Sequence, residues 1–273
     1  MSLPGSEEPR PFPALGALGV TALGILAMVG GGFYLALHSG LSLRPQIALG
    51  TLLLAAPALL ALALAPQKWP AVHGPRPATS RLLLLSVVLG TALWVASAGL
   101  LEVQSLLVPP TQEDLDRFRA IHAALAPRNL ADALVSIFVI AVLPGLCEEL
   151  VMRGVLLPSL ARAWKGSLAV PIAITAVLFA LMHFDGLRFA FTLSLGLVFG
   201  WLRLATGSLW PSVVAHLSLN TLTFLVAPYV DDPSKAYTPS PVMGAACLAA
   251  GAAVAWPLLR TMRVSFDSPR ADS

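Results

Sequence analysis

The sequence predicts an all-α, polytopic membrane protein, a bundle of about eight transmembrane helices, and three observations carry that prediction. The 273 residues are 57% hydrophobic and only 11% charged, against about 25% charged in an ordinary soluble domain. Apolar runs able to cross a ~30 Å hydrocarbon core, which takes about 20 residues of helix, recur along nearly the whole length. Those runs are continuous, without the alternation of a strand. That excludes a closed barrel and leaves the helical bundle, the other structure that satisfies its own backbone in lipid.

The predicted spans are 14–37, 47–65, 82–101, 130–157, 168–184, 187–204, 209–227 and 242–259. The first is longer than the ~7–15 apolar residues of a signal peptide and no small-x-small cleavage site follows it, so it is expected to stay as a span. Between the second and third spans, PQKWPAVHGPRPATSR (66–81) reads as a loop rich in Pro and basic residues. In the next connection, 102–129, Leu115, Phe118, Ile121, His122 and Leu125 recur at helical spacing with charges between them. This pattern fits a helix lying along the membrane surface, or a lid. The predicted organisation is a disordered tail at 1–13, three spans and the amphipathic segment at 14–129, a four-helix core at 130–227, a last helix at 228–260 and a tail at 261–273.

The formal charge of +3 comes from 17 basic and 14 acidic residues. Most of the basic residues fall in short loops, where they orient the chain in the bilayer rather than form a patch for nucleic acid, so no nucleic-acid partner is expected. With alternate loops on opposite sides, Lys68, Arg76, Arg162, Lys165, Arg203, Arg260 and several others share the side of both termini. Fewer fall on the other side, among them Arg44, Arg117 and Arg128. This bias predicts cytoplasmic termini. Cys147 and Cys247 lie within spans, offer no disulfide framework, and are expected to be reduced and buried.

Apart from hydroxyls, the polar residues inside the spans concentrate in spans four to seven: Glu148, Glu149 and Arg153; His183 after Phe179; and His216 with Asn220. On a helix Glu149 and Arg153, four apart, share a face, whereas Glu148 and Arg153 diverge by about 140°. Glu149 and Arg153 can therefore pair, which leaves Glu148 as the unpaired carboxylate. A carboxylate in a poorly solvated pocket is driven toward a neutral pKa, where it can take up and return a proton. His216 and Asn220 are again four apart, as are Phe179 and His183. A carboxylate, two imidazoles and an amide from three helices could polarise a water and stabilise an oxyanion, the two needs of amide-bond hydrolysis.

Two other readings fit the same residues. A proton-coupled transporter also needs intramembrane Glu and His, and a non-catalytic scaffold could use them to join helices. Among known hydrolase signatures, the sequence has no HExxH, no GxSG-like serine site and no pair of intramembrane aspartates.

EELVMRG (148–154), FALMH (179–183) and HLSLN (216–220), with the lead-in TGSLWPSVVAHLSLN (206–220), resemble the EExxxR, FxxxH and HxxxN motifs of the CPBP family, the CAAX-protease and bacteriocin-processing intramembrane glutamic proteases. The resemblance covers about 130–226. It implies an endopeptidase acting on a membrane-associated protein or peptide. In that implied scheme Glu148 and His183 activate water, His216 and Asn220 form the oxyanion site, and Glu149, Arg153 and Phe179 support them. Metal use is disputed for such families; the Asn220 amide on the His216 face favours a metal-free site, with Zn²⁺ on Glu148, His183 and His216 as the alternative. Arg over Lys, and richness in Ala, Leu, Gly and Pro, point to a bacterial gene and so to the inner membrane. The related bacterial roles are processing of C-terminal sorting tails, as in the myxosortase branch, and bacteriocin maturation or immunity.

One geometric condition follows. If every span crossed fully, His183 and His216 would lie at opposite faces. A shared site needs the HFDGLR connection (183–188) held below the surface and the two imidazoles within about 12 Å.

Overall fold

The computed structural model describes residues 10–230 and 238–262, and every regular element among them is a helix. α1 (Ala14–His38) and α2 (Leu43–Leu64) form a hairpin, followed by a 3-10 turn at Pro66–Lys68 and by α3 (Trp69–His73). Next come α4 (Ser80–Leu107) and α5 (Gln112–Leu125). α6 (Leu130–Ile137), α7 (Leu143–Glu149) and α8 (Leu157–Ala163) run on as one helix, joined by π-helical stretches at Phe138–Val142 and Leu150–Leu156. α9 (Ala169–Leu181), α10 (Gly186–Thr206), α11 (Trp210–Val230) and α12 (Pro241–Met262) complete the bundle.

Each of the eight predicted spans falls on a helix. Among the described residues, six stretches are long and apolar enough to cross a membrane: α1, α2, α4, the α6–α8 helix, α10 and α12. The chain is an integral, multi-pass membrane protein.

Two expectations need correction. The fifth predicted span, 168–184, is only the 13-residue α9, about 20 Å long at ~1.5 Å per residue, short of the ~30 Å core. Hydropathy carried the prediction through Met182, but the backbone breaks there. Phe184 adopts φ 49°, the left-handed region that bulky residues avoid. Asp185 then caps α10, its carboxylate accepting from the Leu187 and Arg188 amides at 3.0 and 3.3 Å. The second correction is in 66–81, read as loop, which contains α3. Pro66 and Pro70 sit in the first turns of the two short helices, where their missing N–H costs nothing, and Ala71 and Val72 are buried.

The amphipathic segment of 102–129 is α5. Thr111 and Asp114 close a capping box at its start. At its other end Arg44 of α2 donates to the Leu125 and Ala126 carbonyls at 3.0 and 3.2 Å and pairs with Asp132 of α6. Phe118 and Ile121 are exposed, Leu125 buried. Of the predicted tails, 1–9 and 263–273 lie outside the described residues, and Thr261 and Met262 belong to α12. Cys147 is buried and Cys247 partly so, both as free thiols.

Two apolar clusters fill the bundle. One joins α1, α2, α3, the Leu150–Leu156 stretch and α9 through residues such as Leu54, Val72, Met152 and Phe179. The other joins α4, α10, α11 and α12 through Leu89, Phe199, Leu219 and Met262. α11 serves both, with Val213 in the first and Ala215 and Leu219 in the second. His216 therefore stands at the seam. Because lipid is as apolar as any side chain, helices in a bilayer associate by close packing rather than by expelling water. Glycine makes that possible beside His216: a Cβ on Gly90 of α4 would lie 2.4 Å from the Ala215 carbonyl oxygen of α11.

Candidate active site

Glu149 and Arg153 are both fully buried, with Nη1 of Arg153 2.9 Å from Oε1 of Glu149. The pairing inferred from four-residue spacing is present although Arg153 belongs to a π-helical stretch. A buried charge pair survives only if its remaining valences are met. Nη2 of Arg153 donates to the Gly196 carbonyl at 3.1 Å, and the guanidinium lies over the Phe179 ring, 4.5 Å from its centroid, with Phe199 at 5.6 Å. The same Glu149 Oε1 lies 3.1 Å from His216 Nδ1. A carboxylate already paired with Arg153 accepts, so this imidazole nitrogen donates.

His216 reaches both glutamates. Its Nε2 is 3.9 Å from Glu148 Oε2, slightly beyond direct hydrogen bonding. Glu148 is the more open of the two, its side chain 14% exposed against 0% for Glu149. Oε2 of Glu148 is buried without a hydrogen-bond partner, as is Oε2 of Glu149.

Phe179 is the hub of the aromatic shell. Its ring meets His183 edge-on at 4.9 Å and His216 edge-on at 5.9 Å. The two imidazoles are therefore within about 11 Å of each other, near enough to address one substrate group. Phe199 stacks on His216 at 5.2 Å and 25°. His183 Nδ1 is 2.7 Å from the Phe179 carbonyl, which can only accept, so Nδ1 carries the proton and Nε2 presents its lone pair. α9 is only 13 residues long and ends at Leu181, so His183 follows directly on its last turn.

Asn220 lies one turn beyond His216, and its amide donates to the Ile140 carbonyl at 3.5 Å, inside the first π-helical stretch. Glu148, Glu149, Arg153, Phe179, His183 and His216 are thus brought together around one aromatic ring, with Asn220 a turn away. Among the described residues no three His, Cys, Asp or Glu side chains are grouped so as to hold a metal ion.

Residues 130–222 match the family model described as Rce1-like, type II CAAX prenyl endopeptidase. The chain carries an Rce1-like region. It spans a third of the sequence, opens at α6 and closes two residues past Asn220, so it encloses every residue of the site. This is the family that the three motifs resemble, and the activity in its description is that of an endopeptidase. No curated protein and no solved structure matches the chain.

Three residues of the Rce1-like region escaped the sequence reading. Gly196 supplies the carbonyl for Arg153 and lets α10 approach α9, where a Cβ would fall 2.8 Å from Ala176 Cα. Phe199 stacks on His216. Arg203, counted from the sequence only among the charges on the side of the termini, is 4% exposed in the last turn of α10. A signal existed: Gly196, Phe199 and Arg203 recur at helical spacing along FTLSLGLVFGWLRLAT.

Proposed function

We propose that the chain is an intramembrane endopeptidase of glutamic type, cutting a peptide bond near a membrane-associated, C-terminal segment of a protein substrate. The observation that carries this reading is the unpartnered, buried Oε2 of Glu148, set 3.9 Å from His216 Nε2, with His216 and His183 both edge-on to the Phe179 ring. An oxygen so placed is suited to a water held between carboxylate and imidazole.

In the proposed reaction Glu148 takes a proton from that water while the Nε2 lone pair of His183 orients it, and the water oxygen attacks the peptide carbonyl. The oxyanion that forms is met by His216 and Asn220. Glu149 fixes the His216 ring through Nδ1 and so aims Nε2 at the reacting carbonyl. A side-chain amide has two N–H donors, so the bond from Asn220 to Ile140 O leaves one for the same oxygen. Glu148 returns its proton to the leaving amine as the C–N bond breaks. The chemistry runs on the chain's own residues. The four-helix region of 130–227 serves as the catalytic core, in a bacterial inner membrane with cytoplasmic termini.

Purified protein in detergent is expected to cut a peptide with an apolar C-terminal tail. Glu148→Gln and His183→Ala should each lower kcat by about 10²–10⁴ with the unfolding temperature unchanged. Full activity in either variant would overturn the assignments, and absence of cleavage by the wild type would favour a carrier or scaffold. Cleavage should also survive a strong chelator; its loss, restored by Zn²⁺, would move the mechanism to a metal.

A further inference from the structure

Arg203 is a buried cation with no acidic partner among the described residues. Its three hydrogen bonds all end on backbone: Nε donates to the Arg153 carbonyl at 3.2 Å, and Nη2 to the Ala71 and Val72 carbonyls at 3.0 and 3.4 Å. The Arg153 carbonyl belongs to the Leu150–Leu156 π stretch. Twelve residues earlier the other π stretch, Phe138–Val142, receives the Asn220 amide on Ile140 O. Between them lies α7, Leu143–Glu149, the seven residues that carry both glutamates.

A π turn takes in an extra residue, so a backbone carbonyl loses its regular helical donor and the face of everything beyond it rotates. In lipid such a carbonyl needs a donor from elsewhere. The facing of Glu148 and Glu149 toward His216 therefore depends on two wide turns, each receiving a donor from another helix. Asn220 of α11 holds one, and Arg203 of α10 the other. An arginine fits this place better than a lysine, because its planar fork reaches two elements at once whereas an ammonium is a point charge. Arg203 also ties the π stretch to α3, which covers it, with Val72 packed among Val151 and Val155.

We propose that Arg203 is a positioning residue for the glutamate pair, fixing the second π turn of the α6–α8 helix and so the aim of Glu148 and Glu149. Its catalytic consequence rests on the function proposed above; its structural consequence does not.

The test uses the full chain, wild type and with Arg203→Met or Arg203→Lys, in lipid nanodiscs. Amide exchange followed by mass spectrometry in Arg203→Met should rise about tenfold or more in peptides covering 150–157, with peptides of α4 and α12 unchanged. Arg203→Lys should fail to restore slow exchange there. Against a fluorogenic peptide with an apolar C-terminal tail, kcat should fall about tenfold at unchanged KM in both variants. Wild-type exchange at 150–157 in Arg203→Met overturns the proposal, as does faster exchange throughout the bundle in both variants, which would make Arg203 a support of the whole fold. Local loosening with unchanged kcat, or a change confined to KM, overturns the positioning role. A wild type that cuts nothing counts against the proposed function, and the exchange result still decides whether Arg203 holds the turn.

Discussion

Arg153 is neutralised by a carboxylate at 2.9 Å, while Arg203 is held by three carbonyls, and substitutions should separate the two arrangements. Glu149→Ala leaves a fully buried guanidinium uncompensated and is expected to destabilise by about 3–5 kcal/mol. The double variant Glu149→Gln with Arg153→Met removes both charges at similar volume and should cost clearly less. Denaturant unfolding in detergent checks this; a double variant worse than Glu149→Ala would mean that the pair's charge is not what the fold needs balanced. The pair was legible because four-residue spacing is local information. His216 was legible as a member of the site, but its bond to Glu149 joins residues 67 apart and no spacing rule reaches that far. Arg203 was misread because an arginine in a last turn usually extends its head to the interface, and only the folded chain shows Ala71, Val72 and Arg153 waiting for it with carbonyls.

At the scale of elements, seven of the eight apolar runs became helices of about the expected extent, since hydropathy is a sum over many residues. The fifth, 168–184, failed at four residues, MHFD, where a left-handed Phe184 and an Asp185 cap outweigh the apolar run before them. The π stretches were invisible because π and α turns use the same residue types. They arise from what packs against them, Arg203 and Asn220 included. α5 was visible through its amphipathic period, and its cap makes a pH prediction. Hydrogen bonds from the Thr111 side chain and backbone hold the Asp114 carboxyl below the usual aspartate range, with Arg117 assisting. A carboxylate with a depressed folded pKa adds stability above its unfolded pKa, and that stability is lost as pH falls through the folded value. Amide exchange in the first turn of α5 should accelerate as the pH drops into that acid range, and Thr111→Ala should abolish the pH step. A step that persists in Thr111→Ala would place its origin elsewhere.

For the whole molecule, the short α9 meets the bilayer as well as the site. Ile174, Val177 and Leu181 on α9 are exposed at helical spacing, so this helix presents a lipid-facing stripe. Its length of about 20 Å leaves roughly 10 Å of a ~30 Å core unmatched. Lipids beside it must thin or tilt, at a cost of fractions of a kcal/mol per Å of mismatch. The protein should therefore unfold at higher temperature in dimyristoyl than in dierucoyl phosphatidylcholine bilayers; equal values would mean that neighbouring helices shield α9 from the lipid. A local dimple in the membrane beside α9 would bring headgroups and water closer to His183, two residues past the end of this helix. Under the proposed function the bilayer itself would form one wall of the reaction chamber, and its thickness would set how readily water and a tail segment reach His183.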